Sequence, residues 1–382
     1  MSKVFEMIHK EEERQENTVE LIGSENFVST DVLNALGSVL TNKYSEGYPG
    51  RRYYGGCQYV DEIESYCQKK WQEVFKTDYH VNVQPHSGSQ ANMAAYQAIL
   101  NPGDTILSLG LDEGGHLSHG SPVNFSGKLY NIVHYGLTSD GWFDYGDLSA
   151  KAYKYRPKAI IAGASAYSRA IDYDIFKTVA DSVGAYLIAD IAHPAGLIAC
   201  GNLISPFGLA DIVTTTTNKS LRGPRGALIF CKEELAKKVD SAIFPGIQGG
   251  PAQNVIAAKA VTAEEDLTIR YQCYVDRVQI NASAMADEFI KGGLKVVTGG
   301  TDNHMFVIDL SETHPDITGK MVQDRLDKIG ITVNKNCVPG ETRNPTETSG
   351  IRIGTPAMTT KGWNDEKFRE CARIIMNTIN NM

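Results

Sequence analysis

Between about Val83 and Cys231 the chain repeats one pattern, a short apolar run rich in β-branched residues followed by an amphipathic stretch. The runs are Asp104–Leu109, Leu129–His134, Ala159–Ala162, Ala185–Ala189, Ile212–Thr217 and Ala227–Cys231, with segments such as Ile175–Val183 between them. Short apolar runs of this kind read as strands buried on both faces, and the amphipathic segments read as the helices that bury them. The pattern therefore predicts an α/β fold in which a mostly parallel sheet is covered by helices.

On either side the character changes. Residues 5–20 read as a polar helix, and Leu21–Gly56 is rich in Gly, Tyr and Ser with little helical periodicity beyond VLNALGSVL, as expected of binding loops. After the Gly/Pro-rich FPGIQGGP (Phe244–Pro251), a long helical region leads to short strands at Val296, Met305–Asp309, Ile331–Val333 and Ile351–Ile353, a smaller α/β C-terminal domain. The expected division is an N-terminal arm with binding loops over 1–75, a large domain over 76–250 and a small domain over 251–382, with the hinge near Gly246–Ala260.

Composition excludes several classes of function. With 382 residues and 42% hydrophobic content the chain can bury a large core. Its 37 Lys+Arg against 45 Asp+Glu give a net charge of −8, which argues against nucleic acid as the main partner while leaving small anions free to bind locally. The seven cysteines are dispersed with no CxxC pair, so neither a disulfide framework nor a metal site is expected and a reducing compartment fits best. The segment MSKVFEMIHKEEERQENTVE has no apolar h-region, and no apolar run reaches membrane-spanning length. A cytoplasmic protein with no membrane partner is the expectation.

Three constellations carry chemistry. Pro85-His86-Ser87-Gly88-Ser89-Gln90-Ala91-Asn92 is a small turn just before the helical MAAYQAIL, where backbone N–H groups and the helix dipole favour an anion. Taken alone, Ser-Gly-Ser before a helix serves equally well as a plain N-cap. Asp190 ends the apolar AYLIAD, and an acid at the carboxyl end of a parallel strand faces either a ligand cleft or solvent. Lys219 follows four threonines, Thr214–Thr217, and precedes the turn-rich Arg222-Gly223-Pro224-Arg225-Gly226. A lysine there is either a surface residue or, in a low-dielectric cleft, an amine able to attack a carbonyl. Together, an anion cup, a strand-end acid and a lysine are the parts that pyridoxal 5′-phosphate requires: one each for its phosphate, pyridinium nitrogen and aldehyde.

From about Leu21 to Asn380 the chain resembles the serine hydroxymethyltransferases, fold type I pyridoxal-phosphate transferases with a mostly parallel large domain and a smaller α/β domain. The resemblance runs through ELIGSENFVS, LTNKYSEGYPGRRYYGGCQYVD, QPHSGSQAN, GGHLSHGSPVNFSGKLYN, SAYS, TTTTNKS, GPRG, FPGIQGGP, GGTDNH and SGIRIGTPA. It implies that Lys219 forms the Schiff base, that Asp190 pairs with the pyridinium nitrogen and that His116 stacks on the ring. Ser165 and His193 are implied at the phenolic oxygen, with Ser87, Gly88, Ser89 and Gln90 around the phosphate and Thr216 in the same cofactor-binding set. Arg352 matches the substrate-carboxylate clamp, a bidentate task that suits guanidinium. Glu46 and Tyr54 match the acid/base carboxylate and its neighbouring tyrosine, also substrate-binding with Ser165. Tyr44, Gly249 and Gly250 are implied to reach the phosphate of a partner subunit, which makes a homodimer with shared active sites.

The implied activity is interconversion of serine and glycine, or cleavage of a close analogue such as an α-substituted serine, through retro-aldol Cα–Cβ chemistry with tetrahydrofolate as one-carbon carrier. The competing reading is a folate-independent threonine-type aldolase or transaldolase, and a third is a cofactor-holding pseudoenzyme. The competition arises because this chain departs from the family on the acceptor side. Asn218 stands where a histidine is usual, Asp112-Glu113 where Ala-His is usual, and Asn344-Pro345-Thr346 where an aromatic loop is usual; Arg169, Ile247 and Pro194 are further changes. Two carboxylates at the mouth of a folate site are expected to oppose a polyanionic tail.

Overall fold

A computed structural model describes residues 2–382. Its centre is a seven-stranded sheet built from β1 (His80–Asn82), β2 (Thr105–Leu109), β3 (Asn131–Tyr135), β4 (Ala159–Ala162), β5 (Tyr186–Asp190), β6 (Ile212–Thr216) and β7 (Ala227–Cys231). The order across the sheet is β1-β7-β6-β5-β4-β2-β3. All pairings are parallel except those of β7, which runs antiparallel to both β1 and β6.

Alternate side chains along these strands enter different cores. Leu107, Leu109, Ile160, Ala162, Leu187, Ala189, Val213, Leu228 and Phe230 lie in one cluster, whereas Ile106, Ile161, Ile188, Ile212 and Ile229 lie in another. Burial on both faces is why the runs show no polar alternation. The covering helices follow equally local rules. Tyr173–Val183 begins where the Asp172 side chain accepts from the Ile175 amide, buries Tyr173, Phe176, Val179 and Ala180 along one stripe, and ends at Gly184 in the left-handed region with φ 71°.

A second sheet of four antiparallel strands, β8 (Lys295–Val296), β9 (Met305–Asp309), β10 (Asn334–Asn336) and β11 (Gly350–Gly354), has the order β8-β9-β11-β10. Its core gathers Phe289, Phe306, Ile308, Leu326, Ile351, Ile353, Phe368 and Ile375, and Leu21 from the chain start joins them. Here the structure differs from the sequence reading. Ile331–Thr332 pairs in parallel with Val19–Glu20 outside this sheet, and the polar Asn334–Asn336 takes the edge instead. An edge strand that is half-exposed carries no apolar run to announce it.

After the N-terminal helix α1 (Lys3–Asn17), the helices that position the site are α2 (Gly88–Ile99) and α3 (Gln253–Asp266). In α3 the wholly buried Lys259 donates to the carbonyls of Val83 at 2.6 Å, Pro85 at 3.0 Å and Ala227 at 2.9 Å. An ammonium has three N–H donors, so all are satisfied. One side chain thereby ties α3, β7 and the turn ahead of α2 into a single unit.

Candidate active site

The carboxyl ends of the parallel strands open into a cavity of about 520 Å³, the place where ligands lie in sheets of this type. Ser87, Gly88, Ser89, His116, Ser165, Asp190, His193, Thr216, Lys219 and Arg352 all line it. Residues dispersed over 265 positions of sequence thus meet in one place: nine sit at or just beyond a strand end or helix start, and Arg352 reaches in from the middle of β11.

Asp190 is the last residue of β5 and is buried. Its Oδ2 accepts from Asn92 Nδ2 at 2.9 Å and from His119 Nε2 at 2.9 Å, and its Oδ1 accepts from the Ala192 amide at 3.1 Å. His119 Nδ1 accepts from the His116 amide at 3.3 Å, so the imidazole carries its proton on the nitrogen that faces Asp190. Burial acts to raise the Asp190 carboxyl, but hydrogen bonds from His119 and Asn92 and the nearby imidazoles outweigh it and hold the group well below the usual carboxylate range. A permanent negative charge therefore sits on the cavity wall, and the three hydrogen bonds leave the carboxylate room for one more donor.

Lys219 lies just beyond β6, and its Nζ has no hydrogen-bond partner among the described residues. Burial lowers it to about 8, helped by Arg352 and Arg225 and opposed by the charge of Asp190. The amine is still mostly protonated near neutral pH, but its neutral fraction is far larger than that of an ordinary lysine.

At the start of α2, Ser87 caps the helix, its Oγ accepting from the Gln90 amide at 3.4 Å. Ser87, Gly88 and Ser89 face the cavity, while Gln90 stands behind them and does not line it. A Cβ added at Gly88 would lie 2.7 Å from Thr216 Cγ2, so only glycine lets the helix start approach the end of β6. Free amides and the helix dipole make this a receptor for an anion.

His116 lies across the same cavity with Nδ1 2.7 Å from Ser118 Oγ, which in turn accepts from Asn92 Nδ2 at 2.8 Å. Burial lowers this imidazole to about 4, with His119 adding to the effect, so it is uncharged at neutral pH. Arg352, in the middle of β11, donates from Nη1 to the Ser165 carbonyl at 2.6 Å and from Nε to Asn334 Oδ1 at 3.1 Å. Burial lowers it to about 10, which still leaves it charged, and its Nη2 is free to meet a carboxylate.

The remaining sequence-derived residues form a separate group. Tyr44 Oη donates to Glu46 Oε1 at 3.4 Å, the Tyr44 and Tyr54 rings meet edge to face at 5.3 Å, and Cβ atoms added at Gly249 and Gly250 would lie 3.3 Å from Glu46 Oε1 and the Tyr44 ring. None of these five residues lines the cavity of its own chain. Sequence reasoning also passed over Asn92 and His119, which hold Asp190. The available signal was chemical, since a buried strand-end carboxylate requires donors and a second histidine stands three residues beyond His116.

The acceptor-side departures sit differently from expectation. Neither Asp112 nor Glu113 lines the cavity. Glu113 Oε1 instead accepts from the Leu137 amide at 3.4 Å, and burial raises its carboxyl, so it turns toward the protein rather than the cavity mouth. Leu111, Leu117 and Pro345 provide apolar lining there. Asn218 does line the cavity, its Nδ2 reaching the Ser24 carbonyl at 3.4 Å. Arg169 lies outside it, bound to Asp302 Oδ1 at 2.8 Å and the Thr298 carbonyl at 2.8 Å.

Residues 1–375 match the family model described as serine hydroxymethyltransferase. A serine hydroxymethyltransferase of Lactobacillus gasseri is 54% identical over 381 residues, covering 99% of this chain and 92% of the relative. With a cavity that gathers an unpaired amine, a charge-held carboxylate and an anion cup, and with similarity extending over nearly its whole length, this chain belongs to the serine hydroxymethyltransferase family.

Proposed function

We propose that this protein interconverts serine and glycine, using pyridoxal phosphate as cofactor and tetrahydrofolate as co-substrate, as enzymes of its family do. One observation carries the reading: Lys219, Asp190, the start of α2 and Arg352 all face a single cavity. The donor set suits the cofactor, with a free amine for its aldehyde carbon, an ionised acceptor for its ring N–H and a helix N-terminus for its phosphate. When bound, pyridoxal phosphate supplies an electron-withdrawing ring that stabilises negative charge at the amino-acid Cα.

The chain's own side chains do the rest. Asp190 would hold the proton on the ring nitrogen, His116 would meet the ring as an uncharged imidazole, and Ser165 and His193 would bind the phenolic oxygen. Thr216 shapes the floor beside Gly88. Arg352 grips the substrate carboxylate and so selects α-amino acids. Glu46, with Tyr54 beside it, moves the proton at the serine β-hydroxyl oxygen as the Cα–Cβ bond breaks. The folate-independent aldolase or transaldolase reading is not favoured by the family match.

Product analysis with serine, threonine and α-methylserine, each with and without tetrahydrofolate, tests this. Serine is expected to give glycine with strong dependence on tetrahydrofolate. Threonine cleavage with no response to the folate would sink the reading and return the aldolase.

We infer further that the active enzyme is a homodimer in which the Tyr44–Glu46–Tyr54 group, with Gly249 and Gly250, completes the cavity of a second copy. The support is that Tyr44 and Tyr54 are exposed although they belong to the site motif, and that α1 buries no residue while exposing Val4, Phe5, Met7 and Ile8. Mixing Glu46→Gln with Lys219→Ala, each inactive alone, should restore partial activity, because a mixed dimer contains one site with neither change. Activity remaining at the level of the separate variants would refute shared sites. The seven unpaired cysteines favour a reducing, cytoplasmic setting, which a disulfide in protein isolated from its own cells would contradict.

A further inference from the structure

Lys219 stands on a segment that the central sheet does not hold. β6 ends at Thr216, and the chain bends away beyond it, so no strand ladder includes the Lys219 peptide. Its carbonyl accepts instead from the Arg222 amide at 3.0 Å and, across 193 positions of sequence, from Asn26 Nδ2 at 2.9 Å. Because Nζ has no partner among the described residues, the side chain is steered only from its main-chain end. We propose that Asn26 is a positioning residue that fixes the Lys219 main chain and thereby keeps the amine directed into the cavity for capture of pyridoxal phosphate.

The orientation of the Asn26 amide is set by main-chain groups whose hydrogen-bonding roles cannot change. A carbonyl only accepts, so the atom facing Lys219 is the NH₂; the Phe27 N–H only donates, so the atom 2.9 Å from it is Oδ1. Turning the amide over would set oxygen against oxygen and N–H against N–H. The remaining capacities are used as well. Nδ2 donates to Tyr274 Oη at 2.7 Å, on the helix Ile269–Lys291, and Oδ1 accepts from Thr360 Oγ1 at 2.7 Å. Thr360 ends the short helix Pro356–Thr360 that follows β11 and its Arg352. With two donors and two acceptors all engaged, the amide has no second position to adopt. A longer contact, Asn218 Nδ2 to the Ser24 carbonyl at 3.4 Å, ties the same two segments together.

Capture joins the Lys219 nitrogen to the aldehyde carbon, and the aldehyde oxygen leaves as water with the two protons of the neutral amine, so the rate depends on where that nitrogen stands. The inference rests on Lys219 being the capturing amine, and its test keeps the two apart. Full-length wild type, Asn26→Ala and Asn26→Asp, each stripped of cofactor, are mixed with pyridoxal phosphate and the absorbance change is followed across pH. The comparison is made on the plateau of each profile, above about 8 in the wild type, where differences in amine charge no longer matter. The plateau rate should fall on the order of ten- to a hundredfold in both variants, the scale of moving a reacting group up to about 1 Å out of line. Asn26→Asp keeps the shape and the bonds from Phe27 and Thr360 while losing the donors, so it decides the matter if Asn26→Ala does not fold. In a Lys219→Ala background, where no covalent capture occurs, either change should leave affinity for pyridoxal phosphate the same to within about twofold. A wild-type plateau rate in a folded variant would overturn the proposal. So would a matching loss of affinity in the Lys219→Ala background, since Asn26 would then support the whole site and not the lysine. Borohydride label on a different lysine of the wild type would remove the Lys219 assignment and this proposal with it, a failure that neither rate outcome imitates.

Discussion

Lys219→Ala should leave a folded protein that binds pyridoxal phosphate without covalent attachment and loses turnover by on the order of 10³-fold or more. The expected size follows from what the side chain does uniquely. Lys219 is not the chain's only lysine of lowered basicity, since burial also brings Lys259 down to about 8. Geometry separates the two: each N–H of Lys259 is spent on a backbone carbonyl, whereas Lys219 Nζ meets the cavity with no protein partner. A lone pair is useful as a nucleophile only where it is accessible. The same shift sets a pH dependence. Below about 8 the amine of the cofactor-free enzyme is mostly protonated, so capture of pyridoxal phosphate should speed up as pH rises through that value and then level off. Borohydride reduction followed by peptide mapping checks the attachment point. Label on Lys335, the other lysine lining the cavity, would overturn the assignment.

What the sequence made legible depended on range. The strand runs could be read because both faces of β2, β4, β5, β6 and β7 are buried, so burial alone dictated their composition. β1 could not be read, since His80–Asn82 is three residues long, lies at the sheet's end and is mostly polar. Lys219, Asp190 and the Ser87–Ser89 turn were visible because strand ends and helix starts are local features with known chemistry. Their supporting partners were not. His119 reaches Asp190 across 71 positions and Asn26 reaches the Lys219 carbonyl across 193, and no local periodicity encodes a hydrogen bond of that span. Nor could spacing tell that Glu46, Tyr44 and Tyr54 stand apart from their own chain's cavity. A motif records residue types, while the decision between one's own site and a neighbour's is made by packing. That Asp112 and Glu113 would stay off the cavity lining was illegible for a similar reason, because the direction of a side chain in a turn depends on the partner it finds, here the Leu137 amide for Glu113.

Asp190→Asn should retain part of the pyridoxal-phosphate binding yet slow exchange of the glycine α-proton by on the order of 10²–10³-fold, the cost of losing one preorganised electrostatic stabiliser. The substitution is nearly isosteric, and its consequences follow from what surrounds the carboxylate. Every protein partner of Asp190 is a donor: Asn92 Nδ2 and His119 Nε2 on one oxygen and the Ala192 amide on the other. His119 cannot reverse its role without breaking the bond from the His116 amide to its Nδ1. The new amide NH₂ must therefore avoid the side with two donors and turn to the Oδ1 side. There it opposes the Ala192 amide and leaves the cavity without the acceptor and the charge that keep a proton on the ring nitrogen. Binding survives in part because the α2 start and Lys219 are untouched, but the ring withdraws charge less well. Deuterium exchange into glycine, with covalent loading verified on the same sample, measures the effect; near-normal exchange at full loading would refute it. Stability supplies an independent check with a defined sign. Because the folded protein depresses the Asp190 carboxyl below its ordinary 3.8, the stabilisation it contributes is complete above that value and fades as pH falls below it. The melting deficit of Asp190→Asn should accordingly be largest near neutrality and shrink in acid, whereas a deficit caused only by misfit of the amide would not depend on pH.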